Sequence, residues 1–291
     1  MEETGFFGKV SHNHGALFYV KPERVSRLKQ PAAHCRRPLK SLVTALRDWF
    51  SGPMGQRLAI MERRMIMRLS QDIFGYQAIQ IHDFGAGGAL LEDCPVKRHW
   101  VLDLSSSKHS ALLALGEQLP VATDSIDLVL LPHSLDFAID PYSVVREVER
   151  VLIPEGRVII VGFNPISLWG LWRLILRWQH KVPWCGHFVS YRRVVDWLAL
   201  LGFDVEQSDV AAFSPPFKRD SWTEKMTWLE KTGRRIWPMF AGVYAIRAVK
   251  RVSTVRPIKM PWRGLRVLRP SRATSPIGSQ SVIEKQNEHT S

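Results

Sequence analysis

Ile79-Gln80-Ile81-His82-Asp83-Phe84-Gly85-Ala86-Gly87-Gly88, followed by a second apolar run at Trp100-Val101-Leu102-Asp103-Leu104, decides how this chain folds. An apolar run that meets an acid and then glycines predicts a strand turning into a helix. There the backbone can approach a ligand closely, and the helix start presents free N–H groups. A glycine turn alone is equally an ordinary strand-to-helix connection. Asp103 adds specificity: it lies 20 residues after Asp83, near the end of the next strand, where a carboxylate can accept both hydrogen bonds of a ribose diol. The pair of acids around a glycine turn points to a nucleoside ligand. The dinucleotide fingerprint G-x-G-x-x-G would need glycine where Leu90 stands, and it calls for no acid shortly before the first glycine.

Outward from this stretch, short apolar runs alternate with helical spacing. Candidate strands are Ala78 to His82, Trp100 to Leu104, Ile126 to Leu131, Arg157 to Gly162, Phe203 to Gln207 and Val243 to Val249. Helical spacing runs through Val144, Val145, Val148 and Val151, and again through Val194, Val195, Leu198 and Leu201 before the stop at Gly202. From Pro38 to Phe74, Leu42, Leu46, Trp49, Leu58, Met61, Met65, Ile66 and Leu69 predict two helices split at Ser51-Gly52-Pro53. The alternation predicts an α/β fold, a doubly wound, mostly parallel sheet with flanking helices, whose ligand crevice lies at the carboxyl ends of the strands.

An apolar content of 45% over 291 residues is enough for a full core and excludes a disordered or fibrous class. Three cysteines at wide spacing (Cys35, Cys94, Cys185) predict neither a disulfide framework nor a zinc site, and no metal is expected. No long uncharged apolar run and no signal-peptide pattern occurs, so a cytoplasmic protein is the expectation. Residues 1–40 hold eight Lys/Arg against three acids, and residues 250–291 hold nine against two. The termini thus carry twelve of the thirteen net positive charges and say little about the chemistry of the middle. Three parts are expected: a basic extension (1–38), an α/β domain (39–250) and a basic, disordered tail (251–291). The domain has a helical preface at 39–75 and insertions near 166–188 and 213–238. Two readings of the tails stand, solvated segments or contacts to nucleic acid or an anionic membrane.

Three motifs in order carry a resemblance: Asp83-x-Gly85-x-Gly87, then Leu119-Pro120-Val121-x-x-x-Ser125-Ile126-Asp127-Leu128-Val129, then Glu147-x-x-Arg150-x-Leu152-Ile153-Pro154-x-Gly156. They resemble the successive motifs of class I S-adenosylmethionine-dependent methyltransferases of the type 11 group. Leu131-x-His133-Ser134-Leu135, Asp140-Pro141, Gly162 to Ser167 and the Trp49-x-x-x-Pro53-x-Gly55 segment are similar to an uncharacterised bacterial branch of that group. The resemblance implies a Rossmann-like, seven-stranded sheet and S-adenosyl-L-methionine as cofactor. It also implies roles. Asp83 contacts the methionine amino group, Gly85, Ala86 and Gly87 pass under the methionyl and ribose parts, and Asp103 takes the ribose hydroxyls. Leu104 and the segment before Pro120, with Gln118, flank the adenine, and Leu131 is a further cofactor-binding position. The family often has an acid five residues before that proline; here the position is Leu115.

On the acceptor side the candidates follow the strand ends. His133 is a candidate base or a loop-bonding histidine. Asp136 and Asn164 could orient a polar substrate or serve as loop and helix-start caps. Ile166 to Trp178, rich in tryptophan with Arg173 and Arg177 one turn apart, reads as a core helix with two solvated arginines, a lid, or a membrane-surface helix. The leading expectation is a methyltransferase acting on an unidentified, small or lipid-like acceptor. The alternatives are a catalytically degenerate relative that binds through its basic tails, and a nicotinamide-dependent oxidoreductase.

Overall fold

In the computed structural model, which describes residues 39–82, 90–103, 112–113, 116–176, 181–215, 233, 235 and 237–251, the preface forms two helices. These are α1 (Leu39–Phe50) and α2 (Pro53–Ser70). Pro53 sits in the first turn of α2, where its missing N–H costs nothing. Gly55 lets α2 start against the end of α1: a Cβ there would lie 2.4 Å from the Trp49 carbonyl oxygen and the Phe50 Cα. The Trp-x-x-x-Pro-x-Gly segment is therefore a tight corner between helices.

The strands are β1 (Gln77–Ile81), β2 (Arg98–Asp103), β3 (Leu112–Leu113), β4 (Ile126–Pro132), β5 (Leu152–Phe163), β6 (Phe203–Ala211) and β7 (Val243–Lys250). The helices among them are α3 (Ser134–Phe137), α4 (Pro141–Val151), α5 (Leu168–Leu176) and α6 (Tyr191–Leu200). They form one seven-stranded sheet of order β3-β2-β1-β4-β5-β7-β6, in which β7 alone runs antiparallel to both its neighbours. The chain order reverses between β1 and β4, which makes the carboxyl ends of these two strands the switch point. The two-residue β3 has no apolar pattern long enough to be read as a strand. β5 begins five residues earlier than its apolar run, because Pro154 and Gly156 interrupt the run while Leu152 already pairs with Ile126. β6 continues past Gln207 through Ser208 and Asp209, polar residues tolerated on an edge strand.

Side-chain alternation divides the core between the two faces of the sheet. Leu128, Leu130, Ile159, Val161 and Ala245 face α1 and α2, whose Leu42, Leu46, Met65 and Ile66 complete that layer. Val129, Leu131, Val158, Ile160 and Ile246 face α4 and α6, packing on Val144, Val148, Val194 and Leu198. Each such fully buried side chain contributes about 1.5–3 kcal/mol, so the preface is an integral layer of the fold. Asp140 caps α4 by accepting from the Tyr142 and Ser143 N–H groups, and Gly202 ends the turn after α6 at φ 79°. Cys94 is a free buried thiol. No described helix is long and apolar enough to cross a membrane.

Candidate functional site at the strand ends

The end of β1 is tied to both neighbouring strands: the Ser134 hydroxyl, just past β4, donates to the Ile81 carbonyl at 2.8 Å, and the His82 N–H donates to the Leu102 carbonyl of β2 at 2.7 Å. Just past these ends, His82 (φ 72°) and His133 (φ 51°) both take the left-handed conformation. That is uncommon for a residue with a Cβ and is found most often where a site imposes it.

Beside this point Asp103 ends β2, with its side chain fully buried. Its carboxylate is ion-paired with Arg47 of α1, and its other oxygen lies 3.7 Å from His82 Nδ1. A buried carboxylate requires such compensation. Asp103 is thus an acceptor at the crevice, held by a cation on a long side chain. Asp83, Gly85, Ala86, Gly87, Leu104 and Leu115 lie outside the described residues. Gln118 is half-buried at the head of a segment that α4 braces. Glu147 accepts from the Leu119 N–H at 3.1 Å, and Arg150 donates to the Leu119 and Val121 carbonyls at 3.1 and 3.0 Å. Glu147 and Arg150 also pair with each other at 2.9 Å. The Glu-x-x-Arg and Leu-Pro-Val motifs therefore act as one clamp, fixing the loop expected to flank a base. Leu131 puts its side chain into the α4 and α6 core.

On the β4 and β5 side, His133 donates from Nδ1 to Asp136 at 3.0 Å and from Nε2 to Glu62 of α2 at 2.8 Å. The ring stacks on Phe163 at 4.1 Å. Burial alone pushes the imidazole down, but the charges and hydrogen bonds of Glu62 and Asp136 outweigh it and raise its pKa to about 9. A buried imidazolium with both N–H groups donated has no lone pair for a substrate proton, so the base reading gives way to the loop-bonding one. Asp136 also accepts from the N–H groups of Phe163 at 2.9 Å and Val189 at 3.3 Å. Asn164 donates to the carbonyls of Met239 and Ala241 at 2.7 and 2.9 Å and accepts from Ile166 at 3.0 Å. Both polar groups are engaged within the protein, which replaces the substrate-orienting reading with bracing.

The insertions meet here. Trp169 is buried among Phe163, Trp184 and Trp49, and its indole N–H donates to the Ser214 carbonyl at 2.9 Å. Arg173, which the core-helix reading leaves in solvent, instead donates to the Gly186 carbonyl at 2.7 Å and lies over the Phe188 ring. Three site residues escape a sequence reading: Arg47, Glu62 and His82. Only Glu62 left a signal, a carboxylate inside the apolar stripe Leu58, Met65, Ile66 and Leu69 of α2.

Residues 84–160 match the family model described as Methyltransferase domain. Over 87 residues the chain is 42% identical to the uncharacterized protein YafS of Escherichia coli (strain K12), covering 30% of this chain and 36% of that one. Over 139 residues it is 28% identical to the uncharacterized protein MJ1123 of Methanocaldococcus jannaschii, covering 48% and 63%. The chain thus spans less than two thirds of either relative. Among solved structures it is similar to the methyltransferase in the complex with the Haloferax volcanii Trm112 methyltransferase activator, at 16% identity and TM-score 0.49, covering 71% of this chain and 98% of that one. A SAM-dependent methyltransferase from Thermotoga maritima gives 16% identity and TM-score 0.49, covering 66% and 89%. Likenesses at that level say nothing about chemistry. The segment that matches the methyltransferase family model contributes β2, β4 and most of β5 to the doubly wound sheet.

Proposed function

We propose that the chain is an S-adenosylmethionine-dependent methyltransferase that binds its cofactor at the carboxyl ends of β1, β2 and β4. The observation that carries this reading is Asp103, a fully buried carboxylate at the switch point inside a segment matching a methyltransferase family. The donor set fits a nucleoside: Asp103 already accepts hydrogen bonds from a cationic donor, and a ribose diol offers two such donors. When bound, the cofactor supplies an electrophilic sulfonium methyl.

The protein's own part is alignment and exclusion of water. Asp103 holds the ribose, with Arg47 yielding or sharing its carboxylate. Arg150 and Glu147 fix the Leu119 to Val121 loop beside it. The Glu62–His133–Asp136 bridge and the stacked aromatics hold the crevice floor rigid and dry. With His133, Asp136 and Asn164 all engaged internally, no base comes from these three residues. The acceptor the geometry favours is one that reaches the crevice already nucleophilic.

Calorimetric titration with S-adenosylhomocysteine, repeated on Asp103→Ala, tests the reading. Micromolar binding that the substitution weakens by at least about tenfold is expected. A folded protein that does not bind, or a variant with unchanged affinity, overturns it.

A further inference from the structure

The sequence of α5, LWGLWRLIL, contains one polar side chain, and Arg173 is turned inward onto Gly186 and Phe188. The inner side of the helix is filled by Trp169 and Gly170. The outer side, where a helix facing water carries polar residues, instead presents Leu171, Leu174 and Ile175, each more than half exposed. The turn at residues 237–240 adds Trp237, Met239 and Phe240, also each more than half exposed. Asn164, just ahead of α5, binds that turn through the Met239 and Ala241 carbonyls, so both apolar clusters lie at one end of the sheet. Exposed apolar side chains gathered in this way mark a contact surface.

We infer that this surface docks on an anionic phospholipid bilayer, with the outer side of α5 lying in the plane of the interface. At nine residues α5 is far too short to span a membrane, but a short apolar helix followed by basic residues suits the headgroup boundary. The charge around it decides the occupant. Residues 174–195, which follow the inward-turned Arg173, contain four Lys/Arg and no Asp or Glu. Two copies of the chain meeting face to face would bring these cations together, which disfavours self-association. An anionic bilayer attracts them uniformly and accepts the aliphatic side chains below the headgroups. Exposed Trp237 is a residue type favoured at that boundary. The inference does not rest on the cofactor reading.

Sedimentation of the full chain with vesicles tests it, using phosphatidylcholine alone and phosphatidylcholine mixed with phosphatidylglycerol. Binding to the mixed vesicles only, weakening with added salt, is expected. The double variant Leu174→Glu/Ile175→Glu and, in the other cluster, Phe240→Ser should each lose roughly tenfold or more in vesicle affinity. Both should keep the thermal midpoint and S-adenosylhomocysteine affinity of the parent. Three results overturn the inference: no sedimentation with either vesicle, undiminished binding by both variants, which assigns the contact to the basic termini, or a parent dimer that the variants dissociate, which makes the face an interface between copies.

Discussion

The two halves of the crevice look alike in sequence and differ in what their polar groups do. At the β1 and β2 ends, Asp103 is buried and ion-paired with Arg47, a long side chain from α1. At the β4 and β5 ends, His133, Asp136 and Asn164 stand in equivalent positions after strands, yet each is saturated by partners fixed in the fold. A position past a strand end creates an opportunity for chemistry; the hydrogen-bond partners decide whether it is used. In the reading proposed above, one half receives the ligand and the other holds the crevice in shape.

The comparison is most easily broken at Asp136. Asp136→Ala strands the Phe163 and Val189 N–H groups and one side of a buried imidazolium, and should cost about 4 kcal/mol in urea unfolding. A loss below about 1 kcal/mol would show that Asp136 is no brace.

Next comes the pH dependence. The folded pKa of His133, about 9, stands above its ordinary 6.5, so its contribution is fully present below 6.5 and is lost as pH rises toward 9. About 3 kcal/mol of unfolding free energy should disappear across that window. Glu62→Gln should shrink the loss, and a flat profile for the parent would refute the imidazolium bridge.

On the receiving half, Asp103→Asn should reduce S-adenosylhomocysteine affinity about a hundredfold, or roughly 2.5 kcal/mol. An equal affinity in a folded variant would erase the distinction between the halves. The smallest effect belongs to the clamp. Arg150→Ala should cost about 1.5 kcal/mol of stability and weaken the ligand by less than the Asp103 change, as read by thermal shift with and without ligand.

Much of the fold was written locally. The valines of α4 and α6 and the corner at Ser51-Gly52-Pro53 declare themselves through spacing, because helical periodicities and turn residues are properties of a few adjacent positions. The position of Asp103 at the end of β2 follows from the same local pattern. What the sequence could not decide is which polar groups meet. Arg47 reaches Asp103 across 56 residues, and Glu62 reaches His133 across 71. Neither pairing has a periodic signature, since α1 and α2 acquire their position only by packing on the sheet. Of the two readings open for His133, Asp136 and Asn164, chemistry or bracing, their hydrogen-bond partners favour bracing. The outward aliphatic side of α5 was equally undecided, because an all-apolar helix reads the same whether one side is buried or both. Sequence determines which groups lie at the crevice, and tertiary packing determines which of them remain open to a ligand, because hydrogen-bond saturation depends on contacts between segments that local pattern does not encode.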